Sequence, residues 1–412
     1  MLDLKLIRSD TERVKAALAR RGAADTVDEL LELDERRRQL LPEIEGARSE
    51  RKQASERIGA AKKAGEDASE AIAAVRELKE GLERVESRRD EIAAHLPNLP
   101  DPTSPDGFTD EDAELIREVG EVPRFDFPVK DHLELAGAGI EMEAAGRVSG
   151  ARFAYLTGDL VMLEFALVRY ALEKLRGQGH EPVIPPVLVR EEALFGTGFL
   201  PGDRDQIYEL PKDELFLAGT SEVPLASLHA GQILEADQLP IRYAGFSSCF
   251  RREAGAAGRD THGIFRVHQF DKVEMFSFVK PEDAAAEHER ILAIEESILT
   301  ELGLPYRVVN VAAGDLGGSA AKKYDCEAWI PSQERYRELT SCSNTTDFQA
   351  RRLGCRYRPE PEAHPEFVNT LNGTAVAVGR TLIALLEIHQ RRDGTVVVPD
   401  ALRDCGAPDT IG

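Results

Sequence analysis

The stretch FRREAGAAGRDTHGIFRVHQFDKVE, residues 250–274, gathers charged and aromatic side chains around a glycine-rich loop. Arg251 and Glu253 share one face of a predicted incoming strand, and Phe270 and Glu274 share one face of the outgoing strand. Arginines beside a stacking aromatic suit a nucleotide, because guanidinium groups pair with phosphate and a ring lies against a base. The two glutamates then need other targets, such as an amino group, a hydroxyl or a metal ion. A salt-linked surface hairpin is the alternative interpretation.

Composition narrows the class of protein around this stretch. The chain has 412 residues and a formal net charge of −22, which argues against nonspecific nucleic-acid binding over a broad basic surface. It opens with MLDLKLIRSD, which lacks the apolar core of a signal peptide, and it has no membrane-length apolar run. Its five cysteines are widely spaced without a CxxC pair, which is typical of reduced thiols. We therefore expect a cytoplasmic protein.

Residues 30–96 have the pattern of a helical hairpin. Two stretches carry apolar residues at 3–4 spacing, and the paired positions add to 125 or 126, as an antiparallel arrangement requires. The predicted tip lies near residue 63, and the arm would reach roughly 50 Å. Pro42 should disturb the first helix, and Arg37 would face Arg89 across the seam.

The outer half of the first predicted helix is basic. RSERKQASERIGAAKK, residues 48–63, has a charge of +4, whereas the rest of the chain sums to −26. A positive tip on a negative body suggests an arm that reaches for phosphate, although a coiled-coil dimerisation or spacer element remains an alternative. The candidate tRNA-binding residues are Arg48, Arg51, Lys52, Arg57, Lys62 and Lys63.

A proline-rich linker, LPNLPDPTSPDG at 96–107, separates this arm from a larger domain. Predicted strands at 241–250, 265–278, 323–330 and 336–343 alternate irregularly with amphipathic helices such as 159–179. The short PSQER turn predicts an antiparallel hairpin, and no Rossmann or P-loop motif follows a strand. The predicted fold class is α+β: an N-terminal antiparallel coiled-coil arm, residues 1–105, and a domain around an antiparallel sheet, residues 106–412.

The joint pattern FRxE, loop, RxxxFxxxE resembles motif 2 of the class II aminoacyl-tRNA synthetases, and HQFDKVE is similar to the seryl branch of that family. Residues 178–201 resemble motif 1, with Pro186 as the dimer-interface proline, and residues 370–387 resemble motif 3. LAGTSEVPL (217–225) and RYRELTSCSN (335–344) resemble the family's amino-acid pocket and its ATP and metal strand. The resemblance covers nearly the whole chain in order. It implies a class II catalytic domain that forms seryl-adenylate from L-serine and ATP and charges tRNA(Ser), with tRNA(Sec) as a further candidate.

The resemblance also implies residue roles. Arg251, Glu338 and Arg380 would be catalytic, with Arg251 on the α-phosphate and on the serine carboxylate, while Phe270 and Arg380 sandwich adenine. The full implied ATP set is Arg251, Arg252, Glu253, Val267, Phe270, Glu338, Leu339, Thr340, Ser341 and Arg380, with Glu338 and Ser341 also ligating Mg²⁺. The implied serine set is Thr220, Ser221, Glu222, Arg251, Glu274 and Thr374. The family further implies a homodimer, with neither a membrane nor DNA as a partner.

Three positions depart from the family pattern. Thr374 and Ala375 stand where serine and glycine are usual, and His262 stands where the loop commonly has arginine. Threonine keeps the hydroxyl, while His262 is either a pH-sensitive contact for the tRNA acceptor end or a solvated loop residue. Two other functions remain open: a related ligase that passes an amino acid to a carrier protein, and a paralogue that only binds RNA. The basic arm favours tRNA as the acceptor.

Overall fold

The computed structural model describes residues 1–60, 69–255 and 262–412. Contacts divide the chain into two compact units, Met1–Pro97 and Asn98–Gly412. The α-helices of the described ranges are Leu4–Ser9 (α1), Thr11–Ala19 (α2), Val27–Ala60 (α3), Ser69–His95 (α4), His132–Ala136 (α5), Met142–Ser149 (α6), Asp159–Gly177 (α7), Glu191–Thr197 (α8), Glu222–Ala226 (α9), Ala284–Glu301 (α10), Phe348–Leu353 (α11), Val378–Ile388 (α12) and Asp400–Arg403 (α13).

The strands all belong to the second unit. They are Glu114–Val119 (β1), Ile140–Glu141 (β2), Tyr155–Leu156 (β3), Glu181–Val183 (β4), Leu188–Val189 (β5), Tyr208–Leu210 (β6), Leu215–Leu217 (β7), Ile233–Glu235 (β8), Ile241–Phe250 (β9), Gln269–Val279 (β10), Tyr306–Asn310 (β11), Lys322–Ile330 (β12), Arg335–Asn344 (β13), Arg356–Arg358 (β14), Glu366–Phe367 (β15), Asn369–Ala377 (β16), Val396–Val397 (β17) and Thr410–Ile411 (β18).

The first unit is helical, and α3 and α4 form the antiparallel pair that the apolar spacing predicts. Leu30, Leu40 and Ile44 of α3 are buried, as are Val75 and Ile92 of α4. These side chains supply an apolar seam of the kind that stabilises paired helices. The predicted tip near residue 63 lies outside the described residues.

Ion pairs and the exposed position of Pro42 answer the two doubts that the arm sequence raised. Arg37 donates from Nε to Glu86 Oε1 at 2.7 Å, and Arg89 pairs with the neighbouring Asp90, so the two arginines do not oppose each other unneutralised. The α3 helix runs through Pro42, whose side chain lies on the exposed face. A proline ring and a missing N–H therefore disturb the side of the helix away from the seam.

An eight-stranded sheet forms the centre of the second unit, in the order β1-β11-β12-β13-β16-β10-β9-β4. Every neighbouring pair is antiparallel except β4–β9 at one edge, which is parallel. Helices α7, α10 and α12 pack against the sheet and share its apolar core. Gly373 in β16 lets α10 approach closely, because a Cβ there would lie 2.4 Å from Ile291 Cγ2. The predicted α+β class is thus confirmed.

Two β-bulges, one in β13 and one in β16, interrupt the pairing of strands in the large sheet. Cys326 pairs with Thr340 and Glu327 with Glu338, so Leu339 is the extra residue in β13. In β16 the extra residue is Ala375, because Val273 pairs with Val376 and Glu274 with Thr374. An extra residue shifts the alternation, so residues on opposite sides of a bulge change which face they point to. No helix in the described ranges is long and apolar enough to cross a membrane.

Several predicted boundaries differ from the observed ones. The strand predicted at 241–250 is β9, but the strand predicted from residue 265 begins only at Gln269, and Arg251–Glu253 lie beyond the end of β9. Glu253 has a φ of 50°, which breaks an extended conformation. The contact division at Pro97 comes before the domain boundary predicted at residue 105. Asn98 explains this, because its side-chain amide donates to Ser319 O at 2.9 Å and to Thr345 O at 2.8 Å.

Candidate active site

A cavity of about 360 Å³ lies over the face of the large sheet that carries parts of β10, β13 and β16. Its lining mixes charges of both signs within a small volume. The lining cations are Arg251, Arg266, Lys272, Lys323 and Arg380, and the lining carboxylates are Asp203, Glu222, Glu253 and Glu338. Such close packing of opposite charges is typical of a site for a polar ligand that itself carries charge.

One end of the cavity combines arginines with aromatic rings. The guanidinium of Arg251 lies 5.3 Å from the centroid of the Phe270 ring and donates from Nε to Gly219 O at 3.2 Å. The Arg380 guanidinium lies 4.7 Å from the centroid of Phe265. Phe270 and Arg380 therefore line the same cavity, as the predicted adenine sandwich requires, while each makes a cation–π contact of its own.

Phe265 was not predicted as a site residue. It is buried, and it also receives the Arg337 guanidinium at 4.0 Å from its ring centroid. Its ring thus orients two arginines at once. Sequence reasoning placed Phe265 in a strand with no special role, and no spacing pattern distinguished it from an ordinary core aromatic.

Glu338 stands at this end between two cations. It accepts a hydrogen bond from Arg380 Nη1 at 3.2 Å, and Lys323 Nζ lies 3.9 Å from its other oxygen. Burial alone would raise the pKa of Glu338, but Lys323 and Arg380 outweigh that effect and lower it to about 2. Glu338 is therefore a carboxylate at any physiological pH.

The bulge at Leu339 decides which residues of β13 reach the cavity. Glu338, Leu339 and Ser341 line it, although regular alternation would put residues three apart on opposite faces. Thr340 points the other way, since its hydroxyl donates to Glu295 Oε2 of α10 at 3.0 Å. The side chain of Thr340 therefore does not line the cavity that its three neighbours form.

Lys323 and Asp325 were also missed by the sequence prediction. They alternate along β12 beside β13, and Lys323 Nζ lies 2.8 Å from Asp325 Oδ1. Burial raises the pKa of Asp325 to about 7 against the opposing effect of Lys323. The Lys-Tyr-Asp-Cys-Glu alternation in 323–327 was the available signal, because it places charged residues on one face of an otherwise apolar strand.

The other end of the cavity holds two buried glutamates. Glu222, at the start of α9, accepts a hydrogen bond from Gln349 Nε2 at 2.8 Å. Burial and the charge of Glu274 raise the pKa of Glu222 to about 7, although Gln349, Lys272 and Arg251 oppose that shift. Glu222 is therefore close to half-protonated at neutral pH, in contrast with Glu338.

Glu274 is fully buried in β10, beneath the cavity floor. It accepts hydrogen bonds from Asn372 Nδ2 at 3.1 Å and from Thr374 Oγ1 at 3.4 Å, and it forms an ion pair with Lys272. Asn372, Thr374 and Lys272 all line the cavity. Thr374, which replaces the usual serine, thus keeps the hydroxyl contact. Ala375, which replaces the usual glycine, does not have a positive φ, so its backbone does not require glycine.

The remaining predicted residues are placed as follows. Thr220 and Val267 line the cavity, but the Ser221 hydroxyl turns to Ser247 Oγ at 2.7 Å. Arg252 is exposed, and its backbone N–H donates to Gln206 O at 2.8 Å. Glu253 lines the cavity and accepts a hydrogen bond from Arg266 Nη1 at 2.6 Å.

The glycine-rich loop between the two strands is described at both ends, and residues 256–261 lie outside the described ranges. His262 is exposed and its Nε2 lies 2.8 Å from Asp131 Oδ2. The next residue, Gly263, has a φ of 63°, and a Cβ there would lie 1.8 Å from His132 Nε2. The contact with Asp131 gives His262 a partner that an interpretation as a solvated loop residue did not include.

The predicted tRNA-binding residues belong to α3 and to the tip. Arg48 and Lys52 are exposed. The side chains of Arg51 and Arg57, and the whole of Lys62 and Lys63, lie outside what the structure describes. The assignment of these six residues stays a prediction.

Comparisons with known proteins agree on one family. The model for the seryl-tRNA synthetase N-terminal domain matches residues 1–100, and the model for the class II tRNA synthetase core domain (G, H, P, S and T) matches residues 207–389. The Serine–tRNA ligase of Acidothermus cellulolyticus is 50% identical, with 100% of this chain and 99% of the relative covered. That of Thermobifida fusca is 48% identical at the same coverage.

Solved structures agree as well. A crystal structure of seryl-tRNA synthetase from Pyrococcus horikoshii complexed with ATP superposes with a TM-score of 0.92 at 41% identity, covering 100% of this chain and 99% of that one. A cytoplasmic serine–tRNA ligase from Naegleria fowleri in complex with AMP gives a TM-score of 0.86 at 32% identity, covering 100% and 98%. These matches confirm the resemblance drawn from the motifs. The chain belongs to the seryl-tRNA synthetase family.

Proposed function

We propose that the chain activates L-serine with ATP, releases pyrophosphate, and transfers the seryl group from the adenylate to the 3′ end of tRNA(Ser). The observation that carries this proposal is the single cavity with two chemically different ends. One end offers arginines, aromatic rings and an ionised glutamate, and the other offers buried glutamates with hydroxyl and amide neighbours. A nucleotide suits the first end, and a small amino acid suits the second.

At the nucleotide end, Arg251 would hold the α-phosphate and the serine carboxylate together. Adenylate formation needs no covalent enzyme intermediate, because the carboxylate attacks the α-phosphorus directly. What it needs is alignment of the two reactants and cations where negative charge develops. Phe270 and Arg380 would hold adenine between them, and Glu253 would accept from its amino group. Arg252, Val267, Leu339 and Thr340 complete the proposed ATP set; Arg252 and Thr340 contribute through the backbone, since their side chains lie outside the cavity.

The chemistry of the residues fits Mg²⁺ as a partner of ATP. Glu338 offers an ionised carboxylate and Ser341 a hydroxyl on the same side of β13. No cluster of three or more His, Cys, Asp or Glu side chains in the described ranges could hold a metal alone. We therefore propose that Glu338 and Ser341 would supply only part of the coordination, the rest coming from phosphate oxygens and water. A bound Mg²⁺ would supply charge stabilisation at the phosphates.

At the amino-acid end, Glu222 would receive the serine ammonium group and Glu274 would accept from the serine hydroxyl. Thr220 and Thr374 line the space between them, and Ser221 supports it from behind through Ser247. Alanine would not make the further hydrogen bond that the serine hydroxyl donates to Glu274, and a lost hydrogen bond in a buried site is costly. Threonine would have to be excluded by crowding, which is a weaker discriminator.

The helical arm supports tRNA as the acceptor. The family model that matches residues 1–100 is that of the seryl enzyme's N-terminal domain, and Arg48 and Lys52 present positive charge on the exposed surface of α3. Basic side chains on the surface of a long helix suit recognition of RNA by shape and phosphate. A ligase that charges a carrier protein would not need such an arm.

We also propose a homodimer. Met162 and Phe165 of α7 are 51% and 61% exposed, and Ile184 in the segment between β4 and β5 is 84% exposed. Pro186, the predicted interface proline, is exposed in the same segment. Large apolar side chains left exposed along the motif 1 segment and the helix before it are typical of an interface between subunits.

One experiment tests the function and separates it from the alternatives. Serine-dependent ATP–pyrophosphate exchange and charging of tRNA(Ser) and tRNA(Sec) are measured in the intact chain, in a chain lacking residues 30–96, and in an Arg48→Glu, Lys52→Glu double variant. We expect serine-specific exchange in all three, charging in the intact chain, and charging reduced about tenfold or more in the double variant because phosphate contacts are lost.

Exchange with another amino acid, or none, would contradict the proposed function. Exchange without charging of either tRNA by the intact chain would favour a carrier-protein ligase, whereas RNA binding without exchange would favour the noncatalytic paralogue. Undiminished charging by the shortened chain would contradict the role of the arm.

A further inference from the structure

Lys272 is a buried cation to which the proposed reaction assigns no role. Its side chain is 8% exposed, lines the cavity, and pairs with Glu274 two residues along β10. Alternation along the strand puts Phe270, Lys272 and Glu274 on one face, in that order from the nucleotide end to the amino-acid end. Lys272 therefore lies between the two halves of the site.

We propose that Lys272 is a positioning residue for serine: its ion pair holds Glu274 in place, so that Glu274 accepts a hydrogen bond from the serine hydroxyl and sets the preference for serine over alanine. This inference rests on the proposed function, because it assumes that the amino-acid end receives serine. The inference concerns what keeps the Glu274 carboxylate in position to accept a hydrogen bond. Contact with the substrate alone does not explain this.

The charges around Glu274 show why a cation is needed there. Glu222 on α9 and Glu295 on α10 are buried carboxyl groups, and the negative charge of Glu274 raises the pKa of both. The thiol of Cys249 on β9 lies in the same surroundings. Arg251 adds a second positive charge toward Glu222 and Cys249. Burying a carboxylate among other acids is costly unless a cation pairs with it. Lys272 is the cation in direct contact with it.

The hydrogen bonds to Glu274 depend on how its two oxygens are held. Asn372 Nδ2 donates to one oxygen and Thr374 Oγ1 to the other. A carboxylate only accepts, so it can take these two bonds and a third from a substrate hydroxyl. Without the ion pair to Lys272, the carboxylate group could turn away from this arrangement. The serine hydroxyl would then lose its acceptor, while alanine, which has no hydroxyl, would lose nothing there.

This difference gives a readout that a purely structural role would not change. Serine and alanine share the ammonium group, so any effect of Lys272 on Glu222 cancels in the ratio of their kcat/KM values. An effect through Glu274 does not cancel. The ratio is measured by ATP–pyrophosphate exchange from pH 6.5 to 9 in the wild type, Lys272→Met, Lys272→Arg, Glu274→Gln and the Lys272→Met, Glu274→Gln double variant. Lys174→Met, which removes a lysine paired with Glu301 outside the cavity, is the matched control.

We expect the serine-to-alanine ratio of Lys272→Met to fall about tenfold at pH 7, because the acceptor for the serine hydroxyl is no longer held in place. Lys272→Arg and Lys174→Met should keep the wild-type ratio. Glu274→Gln should lower the ratio at every pH, and adding Lys272→Met should lower it no further. An unchanged KM for ATP would show that the variant site is assembled.

Two results would overturn the inference. One is a Lys272→Met ratio equal to that of the wild type at every pH. The other is a further loss of the ratio in the double variant, which would mean that Lys272 acts independently of Glu274. Absence of serine-dependent exchange in the wild type would instead contradict the proposed function.

Discussion

Glu338 and Glu222 line the same cavity, yet their surroundings give them opposite charge behaviour. Glu338 lies between Lys323 and Arg380, which lower its pKa to about 2 against the effect of burial. Glu222 is buried near another carboxylate, Glu274, and its pKa rises to about 7. The same residue type is thus permanently ionised at one end and close to half-protonated at the other.

The difference teaches how a site can be prepared for two substrates of unlike charge. The nucleotide end has its cations fixed before any ligand arrives, so a phosphate meets a preorganised surface. The amino-acid end has too little positive charge to balance its carboxylates, and the serine ammonium group would supply the missing charge. Substrate binding would therefore complete the charge balance at one end only.

The largest expected effect comes from removing a fixed cation at the nucleotide end. Arg380→Ala would delete both the partner of Glu338 and the guanidinium over Phe265. We expect kcat for serine-dependent ATP–pyrophosphate exchange to fall by about 10²–10³-fold, because charge stabilisation in a water-poor site is lost. Arg147→Ala, which removes an exposed arginine paired with Glu143 at 2.8 Å, is the control. Equal activity of the Arg380→Ala and Arg147→Ala variants would contradict the role of fixed cations at the nucleotide end.

A smaller effect should appear in the pH dependence of serine binding. Below about pH 7 the Glu222 carboxyl is largely protonated and cannot pair with the serine ammonium group, so KM for serine should fall as pH rises from 6 to 8. KM for ATP should change little, since Glu338 stays ionised throughout. Glu222→Gln should raise KM for serine by about tenfold to hundredfold and flatten its pH profile. Parallel profiles in the wild type and the variant would assign the titration to another group.

The smallest effect is expected from the threonine that departs from the family pattern. Thr374→Ser keeps the hydroxyl that donates to Glu274 and removes one methyl group from the cavity wall. KM for serine should change by less than about threefold, while activation of threonine should rise because crowding is relieved, by about tenfold at most. Exchange with both amino acids measures this. A large loss with serine would mean that the methyl group positions the substrate.

The family resemblance supplied eleven of the residues that line the cavity. The sequence itself predicted the helical pair and the antiparallel hairpin, because apolar spacing and short turns indicate which elements pair. It could not predict the face of Thr340. That depends on the bulge at Leu339, which is a property of the pairing between β12 and β13. Phe265 was missed for a similar reason. Its role comes from Arg337 and Arg380, which are distant in sequence and meet only in the folded chain.

The arm shows the same limit. Its heptad pattern predicted the seam but not that Arg37 pairs with Glu86 and Arg89 with Asp90, since long side chains can reach partners beside the seam. Pro42 was expected to disturb α3, yet the helix continues through it. Whether a proline is tolerated depends on which face it occupies, and only the pairing of α3 with α4 fixes that face.

The five cysteines have a practical consequence for anyone who wishes to attach a probe to this molecule. Cys249, Cys326, Cys342 and Cys355 are buried, and none of the five forms a disulfide. Cys405, just beyond α13, is the one thiol with partial exposure. A maleimide dye added to the folded protein should therefore label a single position at the far end of the chain. That gives a fluorescent reporter without first replacing the other four cysteines.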